Sequence, residues 1–192
     1  MSDHEIPTSL AAITPAMMTE ALRANGFDDA EVASIDVERI AVGEGFLGEL
    51  ARLSLSYGAG SGPATAIGKI PTTDSGLKPI GDMLDVYGRE HRAYAEIIPQ
   101  LKVRTPKAWL NLGDAESGTY CLVLEDVGHL TPGDHHAGGT LEQAEAAVAA
   151  AARRRAAVLG QNFPCLPGHR PPALVAGSPC SALQPIRYPS RA

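Results

Sequence analysis

The last acidic residue of this 192-residue chain is Glu145, and the last aspartate is Asp134. From residue 146 onward no carboxylate is available to bind a cation or to act as a general acid or base. Cysteine is scarce, at 3 residues. Cys121 falls in an apolar strand pattern, whereas Cys165 and Cys180 fall among prolines, so neither a disulfide framework nor a cysteine metal site with ligand spacing is expected. A reducing compartment is the simpler reading. No run approaches about 18 consecutive apolar residues, and the start Met1-Ser2-Asp3-His4-Glu5 is acidic. Neither a membrane span nor a secretory leader is expected, which places the protein in the cytoplasm without a membrane partner.

Composition divides the chain in two. Residues 1–145 hold all 22 acidic residues against ten Lys or Arg, a balance of minus 12, whereas 146–192 hold six Arg and no acid, a balance of plus 6. From Gly160 onward Pro164, Pro167, Pro171, Pro172, Pro179, Pro185 and Pro189 prevent any long element. The expectation is one domain over 1–159 and a Pro/Arg-rich, disordered tail over 160–192. About 150 residues are enough to bury a core. Arg153-Arg154-Arg155 has no interleaved aromatics and follows an acidic domain, so nucleic acid is not an expected partner.

Among the residues that are present, Gly43-Glu44-Gly45-Phe46-Leu47-Gly48 forms a G-x-G-x-x-G run. In a dinucleotide-binding unit the third glycine opens a helix, with an acidic residue about 20 positions on. Here the run leads into strand periodicity instead, since Ala51, Leu53, Leu55 and Tyr57 alternate with Arg52, Ser54 and Ser56. The glycines therefore belong to a hairpin. Gly58 to Pro63 is a second turn, followed by a short apolar strand, Ala64 to Ile70, that carries Lys69 near its end. A glycine-rich hairpin followed by a strand with one lysine is the nucleotide-covering arrangement of protein-kinase-like enzymes.

Between Asp82 and Pro99, Met83, Tyr87, Tyr94 and Ile97 recur on one helical face, and Glu90 lies on the same stripe. A carboxylate turned toward a core requires a cationic partner, and Lys69 is the candidate. Elsewhere the chain supplies scaffold. Thr14 caps and Pro15 starts a helix that stops at Asn25-Gly26, with Met17 and Met18 as packing residues. Strands are expected at Val37–Val42, Lys107–Leu112 and Thr119–Leu124. Thr140 and Gln143 form a capping box for a linker helix with a stripe at Leu141, Ala144 and Val148. The fold class is α+β: about five antiparallel strands packed on one helix, with an N-terminal helix and a linker helix.

Three stretches carry a resemblance to a known family: Val42 to Arg52, Arg89 to Ile97, and Leu122-Val123-Leu124-Glu125-Asp126-Val127-Gly128. Together they resemble the N-terminal part of aminoglycoside phosphotransferase-like enzymes, on the ecdysteroid/choline kinase-like branch, over about residues 14 to 152. The resemblance implies a kinase-like N-lobe in which Gly43 to Gly48 cover ATP and Lys69 with Glu90 anchors the phosphates. It also implies that Leu124, Glu125 and Asp126 lead into the hinge beside adenine.

What that family has next is absent here. Its catalytic loop supplies an Asp base and an Asn ligand, and a later Asp holds magnesium. No aspartate follows Asp134, and His129, His135 and His136 lack the His-x-Asp pattern. The chain is thus expected to lack the C-terminal lobe, the catalytic residues and the magnesium ligands. ATP binding is expected to be weak, with self-association through the uncovered lobe interface. Two readings of the tail stay open, a genuine Pro/Arg-rich segment or a frameshift product: Val158 to Cys165, back-translated with GC-rich codons and shifted by one base, reads Phe-Trp-Gly-Arg-Thr-Ser-Pro-Ala, which resembles the end of the family's linker helix. Asp134 with His135 and His136 lacks metal-ligand spacing, and Ser178, Cys180 and His169 have no setting that would hold catalytic geometry. Two functions follow as expectations: an ATP-binding lobe of a small-molecule phosphotransferase, inactive alone, or a non-catalytic nucleotide-binding or interaction module.

Overall fold

The computed structural model describes residues 5–40, 47–101, 103–130, 136 and 138–159, with 153–159 described by backbone alone. The chain divides after Gly160 into two units, and every described residue belongs to the first. That unit is α+β. Five strands, β1 (Glu31–Ile40), β2 (Gly48–Ala59), β3 (Thr65–Pro71), β4 (Ala108–Asp114) and β5 (Thr119–Glu125), form one sheet in the order β1-β2-β3-β5-β4. Every neighbouring pair is antiparallel. The expected strand positions agree within a few residues, except that the first strand begins at Glu31.

Side-chain alternation sorts the sheet into two faces. Ala51, Leu53 and Leu55 of β2, Ala66 and Ile70 of β3, and Cys121 and Val123 of β5 are buried on one of them. Helix α1 (Pro15–Ala24) and a short turn, Leu10–Ala12, cover that face with Leu10, Ile13, Met18 and Leu22. Thr14 caps α1 by accepting a 3.2 Å hydrogen bond from the Met17 amide, next to Pro15 at the first turn. At its other end Asn25 Nδ2 donates to Ala21 O and to Trp109 O of β4, while Thr19 Oγ1 accepts from Val32 N of β1. Helix α1 therefore ties together the two outer strands of the sheet. Gly60 makes the β2–β3 turn at φ +65°, with the Asp29 carbonyl so close that a Cβ would lie 2.0 Å from its oxygen.

The segment between β3 and β4 differs from the single helix expected over Asp82–Pro99. It consists of α2 (Lys78–Met83), α3 (Val86–Arg92), a π-helical turn (Ala93–Ile97) and a final 3₁₀ turn (Ile98–Gln100). The break lies at Asp85, which adopts the left-handed conformation at φ 49°. Register along the segment is consequently lost. Tyr87 is buried, but Met83, expected on the same stripe, is 77% exposed. The sheet has a helix on each face: α1 with Leu10–Ile13 supplies the apolar cover of the core face, and α3 packs against β4 and β5 and reaches Lys69 on the other.

Helix α4 (Leu141–Leu159) starts with the expected capping box, in which Gln143 N donates to Thr140 Oγ1 and Thr140 N donates to Gln143 Oε1 at 2.8 Å. Its apolar stripe does not enter the core. Leu141 is 77% exposed and Val148 69% exposed.

Candidate functional site

The register places Lys69 in the middle of the sheet, opposite Leu50 on β2 and Leu122 on β5. Directly opposed residues share a face, so Lys69 stands between two leucines on the face away from the main core. Its ammonium can approach only a group brought over that face, and α3 brings one. Lys69 Nζ lies 2.7 Å from Glu90 Oε1 and 2.6 Å from Oε2. The side chains are 29% and 34% exposed, respectively. Two ammonium protons are thereby directed at one carboxylate, leaving the third for another acceptor.

The position of Glu90 is fixed by its neighbour. His91 Nδ1 lies 2.6 Å from Asn111 Oδ1, and Asn111 Nδ2 donates to His91 O at 3.0 Å. With the amide oriented by its own N–H···O bond, Nδ1 is the donor of the pair. This reciprocal link binds α3 to β4. Gly113 is a necessary part of the approach, since a Cβ there would lie 2.6 Å from the Tyr120 ring and 2.9 Å from His91 Nδ1. Asp85, just before α3, pairs with Arg92, the last residue of the helix.

A pocket of about 220 Å³ opens beside the pair, lined by Leu47, Gly48, Leu50, Lys69, Tyr87 and Glu90 together with Val86. Gly48 lies close to the lysine stem: a Cβ there would be 3.3 Å from Lys69 Cε and 3.4 Å from Ile70 O. Of the residues singled out in the sequence, the structure thus brings together Leu47, Gly48, Lys69 and Glu90. Gly43, Glu44, Gly45 and Phe46 lie outside the described residues. The strands on either side, β1 and β2, pair antiparallel, with Ile40 opposite Leu50. A strand follows Gly48, which excludes the helix that a dinucleotide-binding loop would open.

Leu124, Glu125 and Asp126 are not part of this pocket. Leu124 pairs across the sheet with Ile67, and Glu125 with Ala66, three positions along β3 from Lys69, roughly 10 Å at strand rise. Both acids are bound within the protein. Glu125 accepts from Arg104 through both oxygens, at 2.6 and 2.9 Å, and the Arg104 hydrogen bond holds its pKa below the usual carboxylate value. Asp126, whose side chain is 9% exposed, accepts from Arg52 Nε at 2.9 Å and from Gly128 N at 2.7 Å. Burial alone would raise its pKa, but hydrogen bonds from Gly128, Arg52 and Thr65 outweigh it and the net shift is downward. These pairs fix the segment leaving β5.

Sequence reasoning passed over Val86, His91 and Asn111. The spacing of His91 next to Glu90 was visible, but its partner lies 20 positions away, and only the β4 register brings it near. Among the described residues no group of three His, Cys, Asp or Glu is placed to hold a metal ion. Asp134 and His135 fall outside the described residues. Cys121 is fully buried, and burial pushes its thiol up to about 12, so it is a packing residue and not a nucleophile. No helix among the described residues is long and apolar enough to cross a membrane. No protein-family model, curated protein or solved structure matches the chain.

Proposed function

We infer that the unit is the ATP-binding lobe of a kinase-like phosphotransferase that acts on a small-molecule hydroxyl. The observation that carries this reading is the Lys69–Glu90 pair beside the first residues of β2, on the open face of an antiparallel sheet. In phosphoryl transfer the protein contributes chiefly position and charge. Glu90 holds the Lys69 ammonium in place and keeps one N–H free for a phosphate oxygen, while Gly48 leaves the backbone close to the lysine stem. The α+β class and the antiparallel pairing of β2 with β3 support the same reading.

Magnesium does not fit the pocket beside the pair, because its lining offers no carboxylate beyond Glu90, which is committed to Lys69. Among the described residues, the lining of the pocket beside the pair holds neither a base nor a set of metal ligands. Nucleotide binding by this unit is expected to be weak, about millimolar, since the pocket of about 220 Å³ offers one cationic anchor, Lys69. Calorimetric titration with ATP tests the reading. Weak binding that falls about tenfold in Lys69→Ala agrees with it, and micromolar binding that ignores Lys69 contradicts it. A second reading, an interaction module without turnover, draws support from the outward apolar residues of α4. ATP turnover by the chain with any acceptor would exclude that alternative.

A further inference from the structure

A cavity of about 340 Å³ lies between α1, the π-helical turn and β4, apart from Lys69 and Glu90. Its walls are Met17, Ala21 and Ala24 of α1 with Tyr94 and Ala95 of the turn, and its floor is residues 108–112 of β4. Side chains of a strand alternate between the two faces, so five consecutive residues line one cavity only where it runs along the strand's edge. β4 is an outer strand of the sheet. The cavity is thus a slot on the open edge of β4, flanked by α1 and by the π-helical turn, which both pack on that strand. A space of this size is at the lower end of ligand pockets, about 300 to 1,000 Å³.

The lining offers no charge to a ligand. Glu20, its one charged residue, is already engaged within the protein, and the Asn111 amide is engaged at both ends by His91. Burial, and then the charge of Glu90, raises the pKa of Tyr94 and keeps its hydroxyl neutral. A cation or an anion would lose hydration in the slot and gain no counter-ion, which disfavours both.

The edge itself supplies polar groups. From Leu110 to Asp114, β4 pairs residue by residue with β5. In such a pair alternate residues direct both N–H and C=O at the neighbouring strand, and those between direct both outward. At least one of residues 110–112 therefore presents a donor and an acceptor side by side, and among the described residues no backbone group outside the sheet takes them. At the end of the slot, Trp109 O is occupied by Asn25 Nδ2 at 3.2 Å. We propose that this slot binds an uncharged, flat aromatic molecule bearing an amide, with the amide paired to the β4 edge and the ring beside Trp109 and Tyr94. The inference is independent of nucleotide binding.

Trp109 is the only tryptophan in the chain, so its fluorescence reports on this slot. The full chain is titrated with benzamide and, separately, with benzoate and benzamidinium, which share its shape and carry a negative and a positive charge. Saturable change is expected for benzamide with a dissociation constant of about a millimolar, as roughly nine heavy atoms allow. Both ions are expected to bind about tenfold more weakly or worse. N,N-Dimethylbenzamide, which has no N–H to give the edge, is expected to lose about fivefold or more. Ala24 and Ala95 are exposed, so Ala24→Leu and Ala95→Leu narrow the slot without disturbing the core. Circular dichroism checks their folding, each is expected to weaken benzamide binding about tenfold, and Lys69→Ala is expected to leave it unchanged. The ligand series on the wild-type chain decides the matter even if a variant fails to fold. No saturable change, an ion or the dimethylamide binding as tightly as benzamide, or full binding by both folded leucine variants would overturn the proposal.

Discussion

Removing either member of the Lys69–Glu90 pair is expected to destabilise the unit by an amount set by its half-buried position. A fully exposed ion pair contributes roughly 0.2 to 1 kcal/mol, whereas breaking a buried one costs about 3 to 5 kcal/mol because a charge is left without compensation. Here the side chains are 29% and 34% exposed, and contact is through both carboxylate oxygens. Water reaches the orphaned partner, which puts each single substitution, Lys69→Ala or Glu90→Ala, at about 1 to 2 kcal/mol. The stem of Lys69 also packs between Leu50 and Leu122, so its loss includes some apolar contact that Glu90→Ala does not remove. A double-mutant cycle separates the two effects. Urea denaturation of wild type, both single variants and the double variant is expected to give a coupling of about 1 to 1.5 kcal/mol. Additivity within about 0.3 kcal/mol would refute the reasoning, because residues that do not interact add to that precision.

Other consequences are open to simple assays. Gly60→Ala is expected to cost about 3 kcal/mol or more in thermal or urea unfolding, since it combines positive φ with backbone 2.0 Å away, whereas Gly26→Ala, at φ +92° with nothing near, costs only about 1 kcal/mol of backbone strain. Asp126→Asn is expected to cost about 1.5 to 3 kcal/mol at pH 7, through its hydrogen bonds to charged Arg52 and to Gly128. The folded pKa of Asp126 lies below its ordinary 3.8. Its contribution is therefore complete above that ordinary value and lost as pH falls through the folded one, so stability curves of wild type and Asp126→Asn are expected to converge in acid. Leu141 and Val148, seven residues apart on one face of α4, are exposed, and sedimentation is expected to show self-association that Leu141→Glu with Val148→Glu abolishes. A wild-type chain monomeric at high concentration would remove that expectation.

Local chemistry made some of this structure legible from the sequence. Thr14-Pro15, Asn25-Gly26 and the Thr140–Gln143 box mark helix ends through nearest-neighbour hydrogen bonds, and all three are found where the spacing puts them. Alternation in Ala51, Leu53 and Leu55 gave the buried face of β2 for the same reason. Glu90 was found as the partner of Lys69 because a carboxylate on an apolar stripe requires a cation. The break at Asp85 was not legible, since a left-handed aspartate leaves no pattern in apolar spacing, and Met83 was consequently placed on the wrong face. Pairwise contacts at long range were equally invisible. Arg52 with Asp126 and Arg104 with Glu125 depend on the β3–β5 and β4–β5 registers, so the arginine partners of these two acids had no signal in the sequence.

Whether phosphate is met at Lys69 is read from amide NMR of the full chain during titration with a nonhydrolysable ATP analogue. Up to about 10 mM nucleotide, a range that covers weak sites of this kind, saturable shifts are expected at Leu47, Gly48, Lys69 and Glu90. The α1 amides are predicted to stay in place, and the shifts to disappear in Lys69→Ala. Absence of any saturable shift, or shifts centred on another part of the unit and retained in Lys69→Ala, would contradict phosphate binding at Lys69.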